Sequence, residues 1–230
     1  MHMLAIETST DVCSIAVLTS NKIIFDQAEE PKTHSHKILP MCEKLFSTAN
    51  IQPSILTAIA YGKGPGSYTG VRVAASVAHG IALAHEIPII PISSLAAMAQ
   101  SVIEATRSKS ILVAIDAKMG QIYWGAYTGD SHKMFAIEDE KVGTPEDFLS
   151  WCKSNIDNTW CAAGNAWTIY NDKLHVIDIK KDKKILSALF HPDAKNILKL
   201  ACRQYDAGDF SSLEEALPIY LRNDMFKKNR

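Results

Sequence analysis

Hydrophobic and polar positions alternate in short blocks along this chain. Met3 to Ile6 is an apolar run of strand length that ends in the polar stretch Glu7, Thr8, Ser9, Thr10, Asp11. Ser14 to Leu18 then alternates with period two, so the two runs predict a hairpin. Lys22 to Gln27 supplies a third strand. Beyond it Ile38, Leu39, Met41, Cys42, Leu45 and Phe46 recur at helical spacing, and Pro40 fits such a helix only in its first turn. Ala58 to Tyr61 reads as a short strand running into Gly62-Lys63-Gly64-Pro65-Gly66, followed by a helix from about Ser67 to Glu86. The apolar run Ile87 to Ile92 closes the segment.

The same order then begins again. Val113-Ala114-Ile115-Asp116 has the character of Leu4-Ala5-Ile6-Glu7, and Gln121 to Tyr127 repeats the hairpin partner. His132 to Ile137 gives the third strand. A helix from Pro145 to Lys153 follows, with Thr144 at the N-cap and Pro at the first helical position, where neither loses a backbone bond. A last helix spans Pro192 to Tyr205 and stops at Gly208, and Leu217 to Arg222 reads as extended. The repetition implies an internal duplication: an α/β protein of two lobes, each βββαβα with an acidic residue ending its first strand. This is the pattern of the actin, hexokinase and Hsp70 (ASKHA) architecture. The expected divisions are 1–105 for the first lobe, 106–190 for a smaller second lobe, and 191–230 for the C-terminal helix and tail.

Composition narrows the function class. With 47% hydrophobic and 21% charged residues over 230 positions, the chain has enough apolar material for a sizeable core and reads as a soluble globular protein. The net charge is -1, and the basic residues are scattered except for Lys180, Lys181, Lys183, Lys184 and the tail from Lys227 to Arg230. Autonomous nucleic-acid binding needs a concentrated basic surface, which this distribution does not supply. The five cysteines are widely spaced without a C-x-x-C pair, so neither a disulfide framework nor a zinc knuckle is expected. The N-terminus lacks a leader pattern and no apolar stretch reaches membrane-spanning length, which predicts a cytoplasmic protein.

Several segments could carry chemistry. Glu7 to Asp11 sits where actin-like kinases wrap a hairpin turn around phosphate, although an ordinary polar turn has the same composition. The matching turn, Asp116-Ala117-Lys118-Met119-Gly120, places Lys and Met where such kinases want an acidic, glycine-rich loop, and this disfavours ATP hydrolysis. On the adenine side the chain offers Gly164-Asn165-Ala166-Trp167, with Trp167 expected to pack rather than stack on a base. The stretch from Gly62 to Gly70, GKGPGSYTG, is neither a P-loop nor a G-x-G-x-x-G fingerprint. It is either a rigid turn or a helix N-terminus able to hold an anion or a carboxylate.

In the helix that follows, Gly70, Ala74, Ala78 and Ala82 form a small-residue row beside the apolar row Val73, Val77 and Ile81; Arg72, Ser76 and His79 interrupt the pattern. A helix so apolar must be covered on more than one side, and a partner helix or the second lobe could do it. His34 and His36 lie two apart, facing different sides, so a shared metal is not expected. His85-Glu86 starts an H-E-x-x-H match that fails at Ile89.

Taken together, IETST, HSHKILP, GKGPGSYTGVRVA, IPIIPISSLAA and DAKMGQIYW resemble the TsaB (YeaZ) family. The resemblance implies a non-catalytic partner and activator of the homologous transferase TsaD, which moves threonylcarbamoyl from its adenylate to the adenosine following the anticodon. A small ATPase, TsaE, completes the set. Where TsaD carries a metal-binding P-V-H-H-M-E-G-H segment, this chain reads Pro91 to Met98, with Ser94 and Met98 at the two histidine positions. A hydroxyl and a thioether do not replace paired imidazoles, so the resemblance implies no metal and no cofactor in the isolated chain. The junction of the complex is left as a candidate nucleotide site, tRNA would be reached only through the complex, and the chain alone would form a homodimer. By the same resemblance the contact surface comprises His36, Leu39, Gly66, Ser67, Tyr68, Thr69, Gly70, Arg72, Val73, Ala74, Val77, Ala78 and Ile81. Ala78→Glu is expected to stop pairing if Ala78 faces outward. The rival class is an actin-like small-molecule kinase or ATPase using Glu7 and Asp116 as magnesium or base carboxylates; a metalloprotease has no ligand set to support it.

Overall fold

The computed structural model describes residues 1–20, 22–29, 33–181 and 191–222. Lys183, Lys184 and the basic tail from Lys227 to Arg230 lie outside them. The chain forms two compact units, Met1–Ala97 with His191–Ile219, and Met98–Phe190 with Tyr220–Arg230.

In the first unit, β1 (Met3–Glu7), β2 (Val12–Thr19), β3 (Lys22–Glu29), β4 (Ala58–Gly62) and β5 (Ile89–Ile92) make one sheet in the order β3-β2-β1-β4-β5. The hairpin pairs are antiparallel, with Ala5 opposite Ala16, whereas β1–β4 and β4–β5 are parallel. Every residue of β1 and β4 is buried, as expected for central strands covered on both faces. On one face Leu4, Ile6, Ile59 and Tyr61 pack against α1 (His34–Ala49) and α2 (Tyr68–His85). On the other, Met3, Ala5, Ala16, Ala58 and Ala60 meet Ala194, Ile197, Leu198 and Ala201 of the C-terminal helix. That face is alanine-rich, which lets the helix lie close to the strands. The C-terminal helix, set apart by the sequence pattern, therefore completes the first core; its periodicity shows an apolar stripe but not where the stripe docks.

Local signals place the ends of α2. Ser67 is the N-cap, its Oγ accepting from Gly70 N at 3.3 Å, and Glu86 ends the helix in the left-handed conformation at φ 52°. For α1 the first-turn expectation for Pro40 is corrected, because the helix begins at His34 and Pro40 falls in its second turn. The His36 carbonyl then lacks its usual amide donor, which costs less at this exposed proline than it would inside the core.

In the second unit, β6 (Ser110–Asp116), β7 (Ile122–Gly129), β8 (Met134–Ala136), β9 (Lys141–Gly143) and β10 (Cys161–Ala163) form a sheet in the order β10-β6-β7-β8, with β9 also on β7. The single third strand expected here is divided: β8 pairs with the end of β7 and β9 with its start. In chain order α3 (Ser94–Thr106) follows β5, and the division between the units falls inside that helix. After β9 come α4 (Pro145–Asn155), α5 (Ala166–Ile169) and α6 (Asn171–Leu174); the C-terminal helix is α7 (Ala194–Asp206). Thr144 and Asp147 cap α4 reciprocally, as the sequence predicts from Thr144. Trp124, Phe148 and Trp167 pack ring to ring at 5.3 and 5.4 Å, and Trp167 Nε1 donates to the Ala163 carbonyl. Trp167 is thus a packing residue. In both sheets the first strand of the repeat lies between its hairpin partner and a parallel strand, which is the actin-like arrangement in duplicate. No helix among the described residues is long and apolar enough to cross a membrane.

Candidate functional site

The glycine-rich loop before α2 is folded onto the β1–β2 turn. A Cβ on Gly62 would strike the Glu7 carboxylate, one on Gly66 the Ser9 carbonyl, and one on Gly70 the Thr8 carbonyl. Two hydrogen bonds lock the approach: Ser67 N donates to Ser9 O at 2.6 Å, and Thr8 Oγ1 donates to Gly70 O at 2.6 Å. The recurrence of glycine at these positions is explained by close packing of two segments, in favour of the rigid-turn reading over an anion cradle.

Glu7 is wholly buried beneath this junction. One carboxylate oxygen accepts from Ser9 N at 2.5 Å and the other from Ser94 Oγ at 2.7 Å. Burial raises its pKa above the usual carboxylate value, and the hydrogen bonds from Ser9 and Ser94 only partly oppose this. A carboxylate so enclosed offers no oxygen to magnesium or to a substrate. The raised value also has a consequence for stability. The folded state holds the proton more tightly than the unfolded chain, so Glu7 favours folding most below about pH 4.5, and that contribution is lost as pH rises through the folded-state value. Glu7→Gln keeps an acceptor for Ser9 N and can donate to Ser94 Oγ. Urea titrations across that pH range are expected to show the variant gaining stability relative to the parent as pH rises, with a flatter pH dependence.

Asp116, the corresponding residue in the second unit, is also engaged. It accepts from Lys118 N at 3.0 Å and from Tyr170 Oη at 2.8 Å, and it pairs with Lys118 Nζ at 3.0 Å. Burial pushes its pKa up, but the Lys118 and Tyr170 hydrogen bonds outweigh this and hold the carboxyl below its ordinary value. Both carboxylates required by a kinase or ATPase are therefore committed to structural bonds. Ser94 and Met98 are fully buried, and His34 is buried with Nε2 at 2.8 Å from Thr10 O while His36 is exposed. Among the described residues no group of three or more His, Cys, Asp or Glu is placed to hold a metal ion.

The face of α1 and α2 divides the expected contact residues into three sets. His36, Leu39, Ser67, Tyr68, Thr69 and Arg72 are exposed; Gly66, Val73, Val77 and Ile81 are half-buried; Gly70, Ala74 and Ala78 are buried. The small-residue row thus faces the chain's own sheet, where Ala74, Ala78 and Ala82 join Ile6, Ile59 and Tyr61 in the core. Small side chains let α2 lie close to β1 and β4. Expecting that row to meet a partner helix is corrected accordingly, because helical period identifies an apolar stripe without saying which neighbour covers it. Ala78 does not face outward, and a glutamate there would enter the core.

A second flank of α2 is covered by the C-terminal segment. A ring nitrogen of His79 lies 3.0 Å from Leu213 O, Tyr61 Oη donates to Ala216 O at 2.6 Å, and Ile219 N donates to Lys63 O at 2.8 Å. What remains open is a groove of about 390 Å³ between the helices, in which Leu39, Tyr68, Val73 and Val77 lie beside Ser35, Ile38 and Ser76. Leu39 is 53% exposed, and the Arg72 guanidinium stacks over the Tyr68 ring at 3.6 Å. Sequence reading missed Ser35, Ile38 and Ser76 as groove residues, although Ser35 lies four before Leu39 and Ser76 lies three after Val73 and four after Arg72, so helical spacing carried the signal for those two. It also missed Leu83, further along α2 and 68% exposed.

Comparison with known proteins identifies the family. The family model for "TsaD: tRNA N6-adenosine threonylcarbamoyltransferase" matches residues 26–223. The chain is 31% identical to the tRNA threonylcarbamoyladenosine biosynthesis protein TsaB of Escherichia coli K12, over 98% of this chain and 96% of that protein. It is 35% identical to the TsaB of Bacillus subtilis 168, over 96% and 94%. The solved structure of YeaZ from Pseudomonas aeruginosa superposes with a TM-score of 0.81 at 32% identity, covering 96% of this chain and 99% of that one. A similar architecture over nearly the whole length, shared with relatives above 30% identity, establishes that this chain belongs to the TsaB (YeaZ) family.

Proposed function

We propose that this chain is a non-catalytic, activating subunit of a tRNA threonylcarbamoyltransferase. It binds a TsaD-type transferase through the α1–α2 groove, works with a TsaE-type ATPase, and meets tRNA only within that complex, in the cytoplasm. Alone, it pairs with a second copy through the same groove. It carries no metal or cofactor of its own, and any nucleotide belongs to the junction with the transferase.

The observation that carries this reading is Ser94. It occupies a position that the resemblance aligns with a metal-binding histidine, and its hydroxyl is buried in a 2.7 Å bond to Glu7. A metal-dependent transfer step has no ligand there, whereas the open strip of Leu39, Tyr68, Val73 and Val77 is a surface suited to protein contact. The names of the relatives, which place them in threonylcarbamoyladenosine biosynthesis, support the pathway.

Reconstitution tests it. Transferase and ATPase from the same cell are incubated with ATP, tRNA and preformed threonylcarbamoyl adenylate, with and without this chain, and the modified nucleoside is measured by mass spectrometry. Modification is expected only when the chain and transferase are both present. Modification by this chain alone, or an undiminished yield without it, rejects the proposal.

A further inference from the structure

An open pocket of about 560 Å³ lies at the C-terminal end of α1 and shares no lining residue with the α1–α2 groove. Its size is that of a small-molecule site. Glu43, Ser47 and Asn50 recur at i, i+4 and i+7, so one stripe of the helix supplies its polar wall. The buried Phe46, with Ile51 and Pro53, gives it an apolar side, and Gln52 adds a second amide just before the 3-10 turn Pro53–Ile55.

The helix stops here for local reasons. Asn50 takes the left-handed conformation at φ 52°, its amide donates to the carbonyls of Phe46 and Ser47, and Ile51 N donates to Phe46 O as well. Pro53, which has no amide to give, prevents a further helical turn.

Charge selects the ligand. A helix C-terminus carries partial negative charge, which a basic residue in the last turn usually offsets, and α1 has none there. Glu43 adds a full carboxylate on the same stripe. No described residue pairs with it, because its neighbour Lys44 is drawn to Asp26 at 2.8 Å. The side chains of Ser47, Asn50 and Gln52 are likewise uncommitted among the described residues. An anion would meet the wrong pole of the helix. A hard metal ion would find a single carboxylate, short of the ligand set it needs, and would leave the apolar side unused. An aliphatic amine matches both parts: ammonium groups suit the Glu43 carboxylate and the amide oxygens of Asn50 and Gln52, and methylenes suit Phe46, Ile51 and Pro53.

We propose that this pocket binds a free linear polyamine of the spermidine type. The inference does not depend on the proposed function. It is tested by titrating spermidine into the isotopically labelled full chain and following backbone amide shifts by NMR. Saturable shifts are expected at Glu43, Ser47, Asn50 and Gln52, with half-saturation at roughly millimolar spermidine or below. Glu43→Gln weakens binding by about fivefold, and Glu43→Lys, which places a cation at the pole, abolishes saturation. Neither change lowers the thermal melt, since Glu43 is exposed and makes no bond to lose. Glu214→Gln, which removes an exposed carboxylate outside the pocket, binds as the parent does. An aliphatic diol of matching length gives no shifts at these amides. Equal weakening by Glu214→Gln, or equal shifts with the diol, overturns the site as non-specific attraction or simple apolar contact. If spermidine moves none of these amides and Glu43→Lys instead loses the transferase on size-exclusion, the pocket belongs to a protein contact and the amine site is overturned. Leu39→Asp, in the groove, judges the proposed function separately.

Discussion

Gly70→Ala is expected to destabilise the protein by about 3 kcal/mol, despite exchanging glycine for the best helix former inside a helix. Propensity alone predicts the opposite sign, a gain of about 1 kcal/mol. The added methyl group would meet the Thr8 carbonyl, with the Thr8 carbonyl carbon at 3.0 Å and Ser67 Cβ at 3.4 Å. The obstacle is backbone belonging to the β1–β2 turn, so no rotamer change relieves it. Either α2 or the turn must shift, at an overpacking cost of about 1–3 kcal/mol. A shift also loosens Thr8 Oγ1 to Gly70 O and Ser67 N to Ser9 O, each worth about 1 kcal/mol. Urea unfolding followed by circular dichroism measures the change. An alanine variant at least as stable as the parent means that loop and turn are not in contact in solution.

The second large effect separates the two rows of α2 and its neighbour. Leu39→Asp, at an exposed position on α1, is expected to leave the melt within about 0.5 kcal/mol of the parent. If the groove is the proposed contact, it should weaken association with the transferase by about 2 kcal/mol or more, since it sets a charge in the apolar strip. Ala78→Glu does the reverse. Ala78 is fully buried, packed in the first core. An unpaired carboxylate there costs about 3–5 kcal/mol, enough to unfold a marginal domain before any partner is met. Thermal melts and size-exclusion with the transferase distinguish the outcomes. A folded Ala78→Glu chain that fails to pair would show that α2 presents its small residues outward.

The comparison of these two positions shows how much of the site was legible beforehand. Gly70, Ala74, Ala78 and Leu39 all stood out in the one-dimensional pattern, and all belong to the two helices that frame the groove. Helical period makes a stripe visible; it carries no information on whether the stripe meets its own sheet or another molecule. The meaning of Gly62, Gly66 and Gly70 was hidden for a related reason. Their spacing is local, but the atoms that exclude a side chain belong to Glu7, Ser9 and Thr8, in a turn far earlier in the chain. The C-terminal segment gave even less, because Ala216 contributes a carbonyl acceptor to Tyr61 and the Leu213 carbonyl lies beside the His79 ring, and a carbonyl is common to every residue.

Local chemistry in the amino-acid order sufficed for the duplication and for most elements of the first unit, but not for α3, β10 or the division of the third strand into β8 and β9. Ser67 and Thr144 cap helices through their own hydroxyls, and the buried runs Met3–Glu7 and Ala58–Gly62 are apolar enough to be central strands wherever they fold. Tertiary structure alone decided that α7 closes the first core, that Glu7 is enclosed by Ser9 and Ser94, and that the outward strip is Leu39, Tyr68, Val73 and Val77. Caps and periodicity act over a few residues, whereas burial is settled by which distant segments exclude water from one another.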